Sequence, residues 1–185
     1  MDTSGSERRT RRTARLRATS QVVGWLVVAS AATILVVGWW LRVELVAGLL
    51  PREPTTKANL ALALLLAGSA SIALGRGQSR WVVGTLGALV LVIGVATLFE
   101  HITGSTATGF DELLAAEFPD APADEPAGRM SFNSALALGF LGTGILIHGR
   151  HVIASRTVTV VAGVIGYLTF VGYVLDVPRL SGLMG

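Results

Sequence analysis

The chain has 185 residues, of which 51% are hydrophobic and 15% charged, with 22 glycines in addition. Soluble domains average about 25% charged residues. So much apolar surface cannot be hidden behind so few charges in a water-soluble globule, which excludes an ordinary soluble enzyme domain and a disordered chain. The absence of cysteine excludes a disulfide scaffold, an iron–sulfur cluster, a thiolate–zinc site and a cysteine nucleophile. Mean hydropathy is +0.62 and the isoelectric point is about 10.2.

A membrane-spanning helix needs about 20 mostly apolar residues. Five stretches qualify in chain order: 22–41, 57–74, 81–99, 130–147 and 157–175. None alternates with the period of two that a transmembrane strand requires. Lipid offers no partner to unpaired backbone groups, so helix is the expected state of all five. The first run follows a basic arm, residues 1–20, with Arg8, Arg9, Arg11, Arg12, Arg15 and Arg17. It is too long for the apolar core of a signal peptide and reads as a retained anchor. Residues 21–185 then form the membrane domain. Trp25, Trp39, Trp40 and Trp81 fall near span ends, where indole rings straddle headgroup and tail.

Charge sets the expected orientation, because cytoplasmic loops carry the excess of Lys and Arg. With the N-terminus inside, ten cations and two acids lie on the inner side, a net +8. The outer side then holds five cations and ten acids, a net −5. The high isoelectric point is thus a topology signal rather than a nucleic-acid signal. The arm Arg8–Arg17 is expected to meet anionic lipid headgroups, and no nucleic-acid partner is expected. Five spans place the C-terminal end outside, in a bacterial cytoplasmic membrane.

An internal similarity divides the rest. Asn59–Gly68 and Asn133–Gly142 share six of ten positions at an offset of 74. Each copy continues through a basic turn, Gly75–Arg80 or His148–Arg156, into a span ending at an acid, Glu100 or Asp176. The expected fold is therefore all-α: five transmembrane helices, an anchor helix plus two tandem helical hairpins. The outer loop 102–129 separates the hairpins. Within it Thr108-Gly109-Phe110-Asp111 has the form of a helix cap, and Pro119 would stop the helix. The rest of that loop, Pro119–Gly128, reads as an irregular, solvated segment.

The segment Gly128-Arg129-Met130-Ser131-Phe132-Asn133-Ser134-Ala135-Leu136 resembles the GRM-(S/A)-P-N-(T/S)-A-L motif of a bacterial multi-pass membrane input module. That module precedes PAS, histidine-kinase or diguanylate-cyclase domains in signalling proteins. Gly109–Leu114 is similar to its G-(I/L)-D-x-L-L loop, and Lys57–Leu62 to its earlier Asn motif. Phe132 stands where the module has proline. The resemblance, over residues 20–185, implies a sensory role. The module's sixth span and output domain are not found before Gly185, so the expectation is a stand-alone or truncated relative, or one that works with a partner.

The candidate ligand-binding residues are Asn59, Asn133, Glu100, His101, Arg129 and Asp176. Asn59 and Asn133 near the outer ends of two spans suit a polar pocket, and equally suit helix capping or interhelical hydrogen bonds. Glu100 and Asp176 at span C-termini oppose the helix dipole and call for compensation by Lys57, Arg129 or Arg179. They suit either a cation site or a solvated interface. His101 beside Glu100 suits a pH sensor or a plain surface histidine. A membrane haem needs two histidines at one depth on different helices. His148 and His151 share one segment and His101 lies at the other face, so neither cofactor nor metal is expected. Small residues every fourth position, at Ala63, Ala67, Ser71 and Gly75, and again at Ala135, Gly139 and Thr143, mark helix-packing faces. These faces also suit a homo-oligomer or a membrane partner protein. No Walker loop, GxSxG elbow or HExxH motif occurs, and no catalytic residue is assigned. The expected function is a non-enzymatic membrane sensor of an outer-leaflet or membrane-soluble signal. The alternatives are a structural subunit of a larger membrane complex and a small oligomeric channel or transporter.

Overall fold

The computed structural model describes residues 3–43, 46, 56–104 and 130–175. Among these residues the chain is entirely helical, with no strand. Helix α1 (Thr3–Thr33) continues as a π-helical segment, Ile34–Trp40. Then follow α2 (Ala58–Gly75), α3 (Arg80–Thr103), α4 (Phe132–Ile147) and α5 (Val152–Val174). Four segments are long and apolar enough to cross a membrane: Arg17–Trp40, α2, α3 and Val152–Gly172 of α5. Helix α4 is apolar but has 16 residues, about 24 Å at 1.5 Å per residue. The arm is the beginning of the same helix as the first apolar run.

The helix ends follow from local chemistry. Gly77, at φ 68°, closes α2: its N–H bonds the Leu74 carbonyl and that of Gln78 bonds the Ala73 carbonyl. This paired arrangement satisfies carbonyls the helix would otherwise orphan. The Ser79 hydroxyl then accepts from Val82 N–H and opens α3. Gly104, at φ 63°, ends it. Ser131 opens α4 in the same way, accepting from Ser134 N–H. Helix α5 starts at Val152, earlier than the apolar run alone suggests. Its Ser155 hydroxyl, buried, donates to the Gly144 carbonyl at 2.7 Å and ties the two helices at their turn.

Each helix packs antiparallel on the next, and glycine sets how closely. A Cβ on Gly24 of α1 would stand 2.9 Å from the Gly68 carbonyl oxygen of α2. One on Gly94 of α3 would stand 2.6 Å from the Gly139 nitrogen of α4. Gly142 of α4 meets the Leu91 backbone, and Gly144 meets Thr159 of α5. Close backbone approach brings helices within reach of dispersion contacts and interhelical hydrogen bonds. The apolar core is assembled from α2, α3 and α4 around Ala63, Ala67, Val90, Ile93, Ala135 and Leu138.

The small-residue faces divide between partners. Ala63 and Ala67 join that core, whereas Ser71 and Gly75 face α1, where Ser20 donates to the Ser71 carbonyl. Ala135 is fully buried, Gly139 backs Gly94, and Thr143 donates to the Gly139 carbonyl of its own helix.

Candidate functional site

Apart from Ser155 at the α4–α5 turn, the buried polar residues lie at or next to three helix ends at one end of the bundle. Asn59 and Asn133 are each the second residue of a helix, α2 and α4. Thr97, Glu100 and His101 occupy the last two turns of α3. The short α2–α3 turn puts these ends at one level, since Asn59 lies 16 residues before Gly75 and Thr97 lies 17 after Arg80. The register between α3 and α4 brings the third end in. Gly87 meets Ile145 and Leu146, and Gly94 meets Gly139 and Ala135. Continued along the antiparallel pair, this register sets residues 97–101 beside 130–135. The His101 Nε2–Met130 carbonyl contact, 2.9 Å, closes it.

The resulting cluster is enclosed. Asn59 and Thr97 are 0% exposed, Glu100 1% and Asn133 4%. Lys57, immediately before α2, is also buried. A buried amide, carboxyl and ammonium in an otherwise apolar bundle each carry a large desolvation penalty, which only polar partners offset. The Thr97 Oγ1 atom has no hydrogen-bond partner among the described residues. His101 is half-buried, and its ring meets that of Phe132 edge to face at 5.8 Å. Phe132 therefore supplies an aromatic wall at the start of α4.

Four of the candidate residues, Asn59, Asn133, Glu100 and His101, come together at this end of the bundle. Arg129 and Asp176 lie outside the described residues, as do Arg179 and the capped loop segment 108–119. Thr97 and Lys57 are buried at the same end. Thr97 is three residues before Glu100, so the two share a helix face, the one sequence signal that marks it. Chemically this end offers amide donors and acceptors, one hydroxyl, one carboxyl and one lysine amine, all on buried residues. Among the described residues no three His, Asp or Glu side chains are grouped as metal ligands.

Trp39 departs from the expected belt. It is 4% exposed, and its indole Nε1–H donates to the Thr56 carbonyl at 2.8 Å. The π-helical winding accompanies this burial, with Leu41 N–H reaching back five residues to the Val36 carbonyl. Arg42, at φ 56°, terminates the segment in the left-handed region. Trp40, by contrast, is 80% exposed.

Comparison with protein-family models, curated proteins and solved structures returns no match.

Proposed function

We propose that the chain is a multi-pass integral membrane protein acting as a non-enzymatic sensory or ligand-recognition module. The membrane reading is supported by the outward-facing side chains. Val92, Val95 and Phe99 of α3, and Val160, Val164 and Phe170 of α5, are all exposed. Water tolerates no such continuous apolar surface, whereas lipid is its natural solvent. In this reading α4 is the fourth of the five spans, lengthened by Met130 and Ser131 and by its turn. The N-terminus is cytoplasmic, as the distribution of Arg and Lys favours.

The recognition reading is carried by one observation: the buried cluster of Asn59, Thr97, Glu100 and Asn133. Polar and ionisable side chains within spanning helices are expensive and concentrate where a function requires them. The GRM motif runs directly into this cluster through Met130 and Asn133, which supports the signalling role that the resemblance implies. The ligand class that fits is a small, largely apolar molecule with a hydrogen-bonding head, entering from the outer leaflet.

Native mass spectrometry of the chain released from mild detergent tests this reading. A retained small molecule, lost in Asn133→Leu, is the expected result. A bare homo-oligomer would overturn it in favour of a channel. Arrival only with another protein would overturn it in favour of a structural subunit. That second reading draws on α5, whose only described helix neighbour at close quarters is α4 and whose Gly163 and Gly166 face open space.

A further inference from the structure

The opposite end of the bundle carries its own chemistry. It holds the two short turns, with Arg76 and Arg80 on one and Arg150, His151 and Arg156 on or beside the other. Arg17 of α1 reaches the same end, where its carbonyl lies 3.1 Å from a Cβ built on Gly75. All six of these side chains are exposed. From Arg17 onward, the described side chains at this end include no carboxylate, since Glu100 lies at the far end.

Two of the arginines rest over indole rings. The Arg76 guanidinium lies over the Trp25 ring at 5.7 Å, and that of Arg80 over Trp81 at 5.6 Å. Trp25 comes from α1 and Trp81 from the first turn of α3, so the α2–α3 turn presents two Arg–Trp pairs from three helices. Both indoles are more than half exposed. An exposed indole under a guanidinium is suited to the boundary between acyl chain and phosphate. The ring sits among glycerol and carbonyl groups, and the cation at phosphate depth. A guanidinium fork can also donate to two phosphate oxygens at once.

We infer that this end is a docking surface for anionic phospholipid headgroups, with the Arg76–Trp25 and Arg80–Trp81 pairs as its defined contacts. The partner is a lipid because the cations sit at the rim of apolar helices and rest on indoles. A nucleic-acid surface would instead interleave basic and stacking groups along a water-facing groove. The inference rests on the membrane reading above but not on the sensory one. It extends the lipid contact from the N-terminal arm to the turns of the bundle.

The test uses the full chain in nanodiscs containing brominated lipid, with tryptophan fluorescence as readout. The signal of Trp25 and Trp81 is the difference between the wild type and a Trp25→Phe/Trp81→Phe variant. Brominated phosphatidylglycerol is expected to quench that signal more than brominated phosphatidylcholine at equal mole fraction. The excess should fall about fivefold for each arginine neutralised in Arg76→Gln and Arg80→Gln at low salt, and shrink at high salt. Equal quenching by the two lipids in the wild type would overturn the inference, whether or not the variants fold. So would a short DNA duplex that displaces the phosphatidylglycerol preference. If neither lipid quenches any tryptophan, the membrane reading itself fails, a result distinct from equal quenching.

Discussion

The His101 ring nitrogen Nε2 and the Met130 carbonyl oxygen lie 2.9 Å apart, joining the end of α3 to the residue that leads into α4. This contact spans 29 positions in sequence and fixes the two ends of the loop between them. His101→Phe keeps an aromatic ring against Phe132 but removes the bond, and should lower stability by about 1 kcal/mol. His101→Ala also removes the edge-to-face contact, which adds about 0.5–1.5 kcal/mol. Reversible unfolding in mixed micelles measures both. Equal losses in the two variants would show that the hydrogen bond contributes and the ring contact does not.

The glycines separate into two kinds, and substitution should tell them apart. Gly142 touches the Leu91 backbone, which has no side-chain freedom to yield, so Gly142→Ala must push α3 and α4 apart. A loss of about 1–3 kcal/mol is expected, as for other overpacked cores. At Gly163 an added methyl group would meet nothing within 4 Å. Gly163→Ala should therefore be neutral or stabilising by up to about 1 kcal/mol, through helix propensity and reduced unfolded-state entropy. The same unfolding assay decides. A destabilised Gly163→Ala would reveal a partner helix on that face of α5.

Much of the architecture was legible in the sequence, because runs of Leu, Val, Ala and Gly about 20 residues long have few alternatives to helix. The turns were legible in part. The basic residues mark Gly75–Arg80 and His148–Arg156 as turns, whereas the stop at Gly77 and the starts at Ser79 and Ser131 show only in the structure. The helix partners were less so. Ala63, Ala67, Ser71 and Gly75 stand on one sequence stripe, yet Ala63 and Ala67 face the α2–α3–α4 core while Ser71 and Gly75 face α1. A four-residue repeat drifts around a 3.6-residue helix, so one stripe serves two neighbours. Gly139 stands out as a packing position, but its partner Gly94 and the meeting of Gly142 with Gly87 and Leu91 do not, because glycine is scattered throughout these apolar runs. At the polar cluster, Asn59, Asn133 and Glu100 stood out as breaks in hydropathy. Thr97 did not, since threonine is common in spanning helices and only burial distinguishes this one. Trp39 looked like an interfacial ring and is instead buried and bonded, a choice made by tertiary packing that hydropathy does not encode.

Thr97 offers a direct reading of whether the cluster is closed or receives a ligand. Its hydroxyl is fully buried and makes no hydrogen bond among the described residues. Thr97→Val keeps the shape and removes the polar atom. In a closed, dry cluster that change should stabilise the chain by about 1 kcal/mol, because an unsatisfied buried hydroxyl is eliminated. Thermal unfolding in detergent micelles gives the sign. Destabilisation instead would mean that a water or bound molecule satisfies the hydroxyl in the membrane, which strengthens the recognition reading.

The two adjacent tryptophans should behave as opposites. Trp39 is buried and hydrogen-bonded to Thr56, while Trp40 is exposed. Trp39→Phe should lower stability by about 1 kcal/mol through the lost bond. Trp40→Phe should leave stability unchanged within about 0.5 kcal/mol, as for other surface changes. Lipid-quenching of fluorescence should be reduced by Trp40→Phe and little altered by Trp39→Phe. The reverse pattern would overturn the placement of the π-helical segment against α2.

The absence of cysteine makes orientation directly measurable, because any thiol introduced is the only one present. Gln78 and Gly149 lie in the two short turns and are exposed, and Gly104 is exposed at the other end of α3. In intact cells, Gly104→Cys should react with a membrane-impermeant maleimide. Gln78→Cys and Gly149→Cys should react only after the cells are opened. The physical reason is the charge asymmetry: the two turns carry Arg76, Arg80 and Arg150, and translocating such cationic turns is disfavoured. Neither Gly149 nor Gln78 contributes to the core, so both variants should fold. Labelling of Gln78→Cys and Gly149→Cys in intact cells, with Gly104→Cys protected, would invert the topology and move the polar cluster to the cytoplasmic face. Labelling of Gln78→Cys and Gly149→Cys on opposite sides would show that α4 does not cross the membrane as a full span, so that its 16 residues enter only part of the bilayer.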